Sequence, residues 1–238
     1  MQSPFANLPP VVKNLLIINC ICFLPSLFYT RGFSTDSDPI AGLFGVYYFN
    51  SPNFKVWQPI TYMFVHGGWA HIIFNMFALF SFGPFVEYIM GSKRFFNFYF
   101  ICGLGAIGLQ MLVQAYEVHA ATGAYTIAMD YIPNSPAALA KLQAIYGGPM
   151  VGASGSIFGV LIAFGMIYPN AELMIMFIPV PVKAKYIVPV YVLVELGLGL
   201  GQFGGDNVAH FAHLGGALLG FLLVKAWHLQ GPPKDLYN

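Results

Sequence analysis

A chain of 238 residues in which 58% are hydrophobic, 17% aromatic and only 8% charged lies far from the roughly 25% charged content of ordinary soluble domains, which excludes a water-soluble globule. The formal net charge of +1, with no basic run, excludes a nucleic-acid partner, because neutralising phosphates takes clustered Lys and Arg. Cys20, Cys22 and Cys102 stand inside apolar segments without ligand spacing, so neither a disulfide framework nor a metal site is expected.

A membrane-crossing helix takes about 20 mostly apolar residues, and six such segments run along the chain, at 11–29, 69–90, 95–115, 152–168, 186–202 and 208–227. They predict an all-α polytopic membrane protein, one bundle of six transmembrane helices that spans 1–238 as a single domain. The first segment follows Pro9 and Pro10, carries Lys13 near its start and is not followed by a small-x-small cleavage site. It reads as a retained helix and not as a signal peptide. With the N-terminus inside, the inner side holds Lys13, Lys93, Arg94, Lys183, Lys185, Lys225 and Lys234, and the outer side holds Arg31, Lys55 and Lys141. That excess predicts both termini in the cytoplasm. Helices two, four and six then all begin outside, with their first turns at one depth.

Residues 30–62 carry Phe44, Tyr47, Tyr48, Phe49, Phe54, Trp57 and Tyr62, an aromatic loop suited to the membrane interface. Asp38-Pro39 suits a short helix there, aspartate as cap and proline at the first position. Helix two opens His66-Gly67-Gly68-Trp69-Ala70-His71 and continues through Asn75. His71 and Asn75, four apart, stack on one helix face near the outer end, while His66 belongs to the lead-in. Polar groups at that depth point to a wet cavity or a functional site, or alternatively to ties between helices. Glu87, near the inner end, reads as such a tie. Helix three, with Gly103, Gly105 and Gly108, reads as packing. Residues 116–151 form an extended outside loop, in which Ser135-Pro136 and Gly147-Gly148 bracket a helix of about three turns.

Helix four opens Gly152-Ala153-Ser154-Gly155-Ser156-Ile157-Phe158-Gly159. Taken alone, this is a small-residue packing face whose serines bond back to the backbone, or a hydroxyl that meets water entering from outside. The inner loop 170–185, apolar and broken by Pro179 and Pro181, is expected at the inner interface. Helix five holds one acidic residue, Glu195, with Gly197, Gly199 and Gly201, and is expected to pack lightly. Helix six and its lead-in read Asp206-Asn207-Val208-Ala209-His210-Phe211-Ala212-His213, then Gly216 and Gly220. His213 shares the face of those two glycines, which is the face that approaches a neighbour closely.

A serine hydroxyl attacks poorly until a base takes its proton, and histidine is the usual base. Ser154 with His213 would form such a dyad, and Asn75, His71 and the backbone N–H of Ser154 would supply donors for an oxyanion. Ser156 is the alternative nucleophile and His210 the alternative base. Asp206 lies about 10 Å along a helix from His213, too far to be its third partner, and is better placed for His210.

Together, His71-x-x-x-Asn75, Gly152-Ala153-Ser154-Gly155 and Ala212-His213-x-x-Gly216-x-x-x-Gly220 resemble the rhomboid family of intramembrane serine proteases, in its bacterial six-helix form. The resemblance covers essentially the whole chain. It implies Ser154 as nucleophile, His213 as general base, Asn75 and His71 as oxyanion-hole donors and Phe158 as a ring against the histidine, with Gly152, Gly155 and Gly216 in support. It further implies serine endopeptidase activity on transmembrane protein substrates in a bacterial plasma membrane, cleavage near a small residue, and lateral substrate entry near helix five, with no cofactor. The family places a Trp-Arg pair in the first outside loop. Here Trp57 is followed by Gln58, a departure that bears on the arginine's loop contacts and not on the catalytic set. Two rival readings come from other classes. A catalytically silent client-binding protein is disfavoured by retention of both Ser154 and His213, and a transporter is disfavoured because no internal repeat relates the two halves of the chain.

Overall fold

Runs of apolar residues in lipid favour the α-helix, because it satisfies each backbone N–H and C=O within the segment. A computed structural model of the protein describes residues 8–31, 38–128, 130–175, 178–201 and 209–231. In chain order these form α1 (Pro10–Thr30), α2 (Pro39–Phe44), α3 (Gln58–Thr61), α4 (Trp69–Met90), α5 (Ser92–Thr122), α6 (Pro136–Gly147), α7 (Ser154–Ile167), the strands β1 (Glu172–Ile175) and β2 (Ile178–Lys183), α8 (Ala184–Gly201) and α9 (His210–Ala226). Asp206, Asn207, Val208 and Lys234, named above, and position 202, the expected end of the fifth segment, lie outside the described residues.

Among the described residues, α1, α4, α5 and α8 are long and apolar enough to cross a bilayer, while α7 and α9 are shorter apolar helices. Of the short pair, α7 is the more enclosed, while α9 exposes Leu218, Phe221 and Leu222. α7 packs against α4, α5, α8 and α9, and α9 against α5, α7 and α8. The architecture is a polytopic helical bundle. Its core runs from Val12 and Leu16 through Leu79, Phe95, Phe98 and Tyr99 to Val160 and Phe164.

Three features depart from the expectations. Helix α5 continues to Thr122 and so takes in the first turns of the segment expected as loop. The reason is a second apolar cluster, in which Val118 is buried with Tyr48, Leu142 and Ile145. Helix α6, capped by Ser135 Oγ accepting from Ala138 N–H, is therefore packed onto the segment between α2 and α3. Ser51 Oγ donates to Tyr146 O at 2.7 Å, and Tyr146 OH donates to Asn50 Oδ1 at 2.9 Å. Secondly, the inner segment expected as an interfacial loop is an antiparallel hairpin, with Met174 opposite Pro181. In a two-stranded ribbon both strands are edges, so proline is tolerated. Thirdly, Gln58 is fully buried and ties the first loop together. Its Oε1 accepts from Lys55 N–H at 3.0 Å and its Nε2 donates to Asn53 O at 3.1 Å.

Glu87 acts as a tie. It is 1% exposed, and its two oxygens accept from Val11 N–H at 3.0 Å, Val12 N–H at 2.8 Å and Ser92 Oγ at 2.7 Å. The first turn of any helix has unsatisfied N–H groups, and here a carboxylate from α4 caps α1. A charge-assisted hydrogen bond contributes about 1.5–3 kcal/mol net, and roughly 2–4 °C of melting temperature accompanies each kcal/mol at this chain length. Glu87→Ala is expected to lower the melting temperature of the detergent-solubilised protein by about 5 °C or more, measured by differential scanning fluorimetry. An unchanged melting temperature would contradict this role.

Candidate active site

Ser154 is the first residue of α7, and the backbone leading to it is fixed from outside the helix. Val46 and Met150 pair through reciprocal N–H···O bonds of 2.9 and 2.8 Å, and Gly152 N–H donates to Tyr62 O at 2.9 Å. Gly152 has φ +124°, and a Cβ placed on it would fall 2.6 Å from His71 Nε2. Only glycine combines that backbone with that clearance. The first N–H groups of α7 have no partner within the helix and face the same end as the Ser154 hydroxyl.

On the other side, α9 meets α7 backbone to backbone. A Cβ on Gly216 would run into the carbonyl oxygen of Gly155, and one on Gly220 would lie 2.7 Å from Gly159 Cα. This contact carries His213 to Ser154, with His213 Nε2 2.8 Å from Ser154 Oγ. The ring of Phe158, one turn after the serine, stacks on the His213 imidazole at 4.3 Å between centroids and 8° between planes. The imidazole is thereby held on one face by packing and at one edge by the hydroxyl.

His71 Nδ1 accepts from Gly67 N–H at 3.2 Å, which places the ring proton on Nε2, the nitrogen beside Gly152. Behind it lies His66, 1% exposed, packed edge-to-face on His71 at 5.2 Å. Burial pushes the His66 imidazole down to about 3, and the neighbouring His71 adds to the shift, so this ring is neutral at physiological pH. Asn75, 6% exposed, lines the same cleft as His71, Ser154 and His213. That cleft, about 1950 Å³, extends between α4 at Phe74 and Phe77 and α8 at Ile187 and Tyr191. A hydroxyl paired with an imidazole, next to several N–H donors, can attack a carbonyl carbon and hold the oxyanion that results.

The two alternatives from the sequence occupy other positions. Ser156 is 1% exposed and its Oγ contacts Met63 Sδ at 3.8 Å, on the side of α7 away from the cleft histidine. His210 Nδ1 lies 2.7 Å from Glu195 Oε2. Glu195 is the residue that sequence reasoning left without a role, because it was read only as the lone acid of a lightly packed helix. Its Oε2 also lies 2.9 Å from His213 Nδ1. The available signals were an ionisable group at membrane depth and Gly199 four residues on, whose missing side chain lets α8 approach His210 Cβ and Phe211. Glu195, His210 and His213 each bring one ligand-type atom within 4.8 Å of the others. These residue types also suit zinc, but an ion on His213 Nδ1 would displace the hydrogen bond to Glu195.

Residues 53–229 match the family model of the Rhomboid domain. The chain is 29% identical to Rhomboid protein 1, mitochondrial, of Saccharomyces cerevisiae over 167 residues, covering 70% of this chain and 40% of the yeast protein. It is 27% identical to the Bacillus subtilis rhomboid protein YdcA over 226 residues, covering 93% of this chain and 92% of YdcA. Similarity to the Bacillus subtilis rhomboid protease GluP, 28% over 178 residues, covers 75% of this chain and 27% of GluP. The chain thus spans less than half of the yeast protein and of GluP, and nearly all of YdcA. The matched stretch contains α4, α7, α8 and α9, the helices that carry the site, and the chain belongs to the rhomboid family of multi-pass integral membrane proteins.

Proposed function

We propose that the protein is an intramembrane serine endopeptidase that hydrolyses a peptide bond in or beside the transmembrane segment of a membrane protein. The observation that carries this reading is the 2.8 Å contact between His213 Nε2 and Ser154 Oγ. Ser154 Oγ attacks the scissile carbonyl carbon while His213 Nε2 takes its proton. The carbonyl electron pair moves to oxygen, where the Ser154 N–H, His71 Nε2–H and the Asn75 side-chain amide stabilise the charge. His213 then returns the proton to the departing amine, and water, activated by the same base, releases the acyl group from Ser154. Every step uses side chains and backbone of this chain, and none needs a cofactor.

The substrate segment enters sideways from the bilayer, along the cleft between α4 and α8. Support comes from α8 itself, whose Tyr191, Leu193, Val194 and Leu196 are exposed and which touches the bundle through few buried positions, among them Val188, Glu195 and Gly199. Gly152 keeps the space beside His71 and Ser154 clear, and a small residue at the scissile position fits that crowding. The lysine and arginine distribution supports cytoplasmic termini. The sequence resemblance and the match to YdcA along nearly its whole length support a bacterial plasma membrane.

The test is cleavage of a single-pass reporter protein co-reconstituted in liposomes. Ser154→Ala and His213→Ala are each expected to lower the rate by about 10³-fold or more, with unchanged melting temperatures. Equal cleavage by both variants and the wild type would overturn the reading, and a folded wild type that binds reporters without cutting any would favour the client-binding alternative. In the same assay, His71→Ala and Asn75→Ala are each expected to reduce kcat by about 10²- to 10³-fold with little change in KM, the effect of removing one oxyanion donor. An increase in KM alone would place these residues in substrate binding instead.

A further inference from the structure

The hydrogen-bond chain does not stop at His213. Glu195 Oε2 is 2.9 Å from His213 Nδ1 and 2.7 Å from His210 Nδ1, and the three side chains are 8–12% exposed. An ionised carboxylate only accepts hydrogen bonds, so both Nδ1 atoms that face it carry protons. With its proton on Nδ1, neutral His213 presents an unprotonated Nε2 to the Ser154 hydroxyl, which is the tautomer a general base needs. His210, its own Nδ1–H on the same oxygen, braces the carboxylate from the preceding turn of α9. Gly199, one turn beyond Glu195 on α8, would carry a Cβ only 3.2 Å from His210 Cβ, and its bareness lets α8 come near enough for the carboxylate to reach.

Resting on the protease reading above, we propose that Glu195 is a positioning residue for the reaction, the third member of a Ser154–His213–Glu195 relay whose acid comes from a different helix than the base. When Ser154 Oγ bonds to the carbonyl carbon, its proton moves to His213 Nε2 and the imidazole becomes a cation with both ring nitrogens protonated. Glu195 stays ionised, receives no proton and stabilises that cation through the Nδ1–H bond. In a site largely closed to water the stabilisation exceeds what a surface pair would give. The relay also makes the base depend on where α8 stands.

The experiment compares wild type, Glu195→Gln and Glu195→Asp in the liposome cleavage assay, with melting temperatures and a histidine ¹⁵N NMR spectrum of each, His213 being assigned by difference with His213→Ala. Glutamine keeps the size and hydrogen-bonding capacity that a mere tie between α8 and α9 requires. It weakens the base in either orientation: amide nitrogen towards His213 favours the wrong tautomer, and amide oxygen there lacks the charge. Glu195→Gln is expected to lower kcat by about 10²-fold or more with KM within about twofold and an unchanged melting temperature. Glu195→Asp is expected to recover part of kcat, and the Nδ1-protonated signal of His213 present in wild type is expected to be lost or shifted in Glu195→Gln. Cleavage by Glu195→Gln within about threefold of wild type, or a loss that follows the melting temperature or KM, would overturn the relay. Inactive wild type would instead overturn the protease reading itself.

Discussion

The distance between α7 and α9 sets everything else in the site. Gly155 and Gly159 on one helix face Gly216 and Gly220 on the other so closely that a single methyl group on Gly216 would collide with the opposing backbone. In a bilayer the apolar surroundings give helices little hydrophobic reason to associate, and close backbone approach supplies the packing instead. The same approach brings the first turns of α7 and α9 together, so that Ser154 and His213 meet across 2.8 Å. A helix pair separated by ordinary side chains would hold the hydroxyl and the imidazole apart by the width of those side chains.

Around that pair the polar groups form a ring supplied by four helices. Each enters from a place where its backbone is already committed: His71 from the first turn of α4, held by Gly67, Ser154 from the first turn of α7, held by Gly152, His213 from α9, and Glu195 from α8. Unpaired polar atoms at membrane depth are costly, and here Ser154, His213, Glu195 and His210 are paired with one another while His71 and Asn75 line the cleft. The layer formed by α6 and the segment between α2 and α3 lies beside this end of the bundle. Its buried Tyr48 and Ile145 and the Val46–Met150 pairing join the loop to the strand-like segment that leads into Ser154.

What could be read from the sequence was local. Four-residue spacing puts His71 and Asn75 on one face, and the glycines following His213 mark the side on which it meets a neighbour, because both facts depend only on helical period. Residues 116–122 carry no sequence signal that Val118 finds Tyr48 and Leu142, so their helix is legible only in the fold. The hairpin at 172–183 was missed for a similar reason: its prolines argue against a strand in a sheet interior, and only the two-stranded context removes that objection. Glu195 required knowing which way α8 faces relative to α9. That is a tertiary fact, written into the sequence only as a lone acid followed by Gly199. The role of Gln58 was also invisible, since its contacts run to backbone atoms of Leu43, Asn53 and Lys55, spread over up to 15 residues of chain.

The central claim is that Ser154 is a nucleophile activated by His213, and the most direct measurement is the site of covalent modification. Detergent-solubilised protein treated with a fluorophosphonate, digested and sequenced by tandem mass spectrometry should carry one adduct, on Ser154, with the modification rate falling to background in His213→Ala. An adduct on Ser156, or modification of Ser154 at an undiminished rate without His213, would contradict the account.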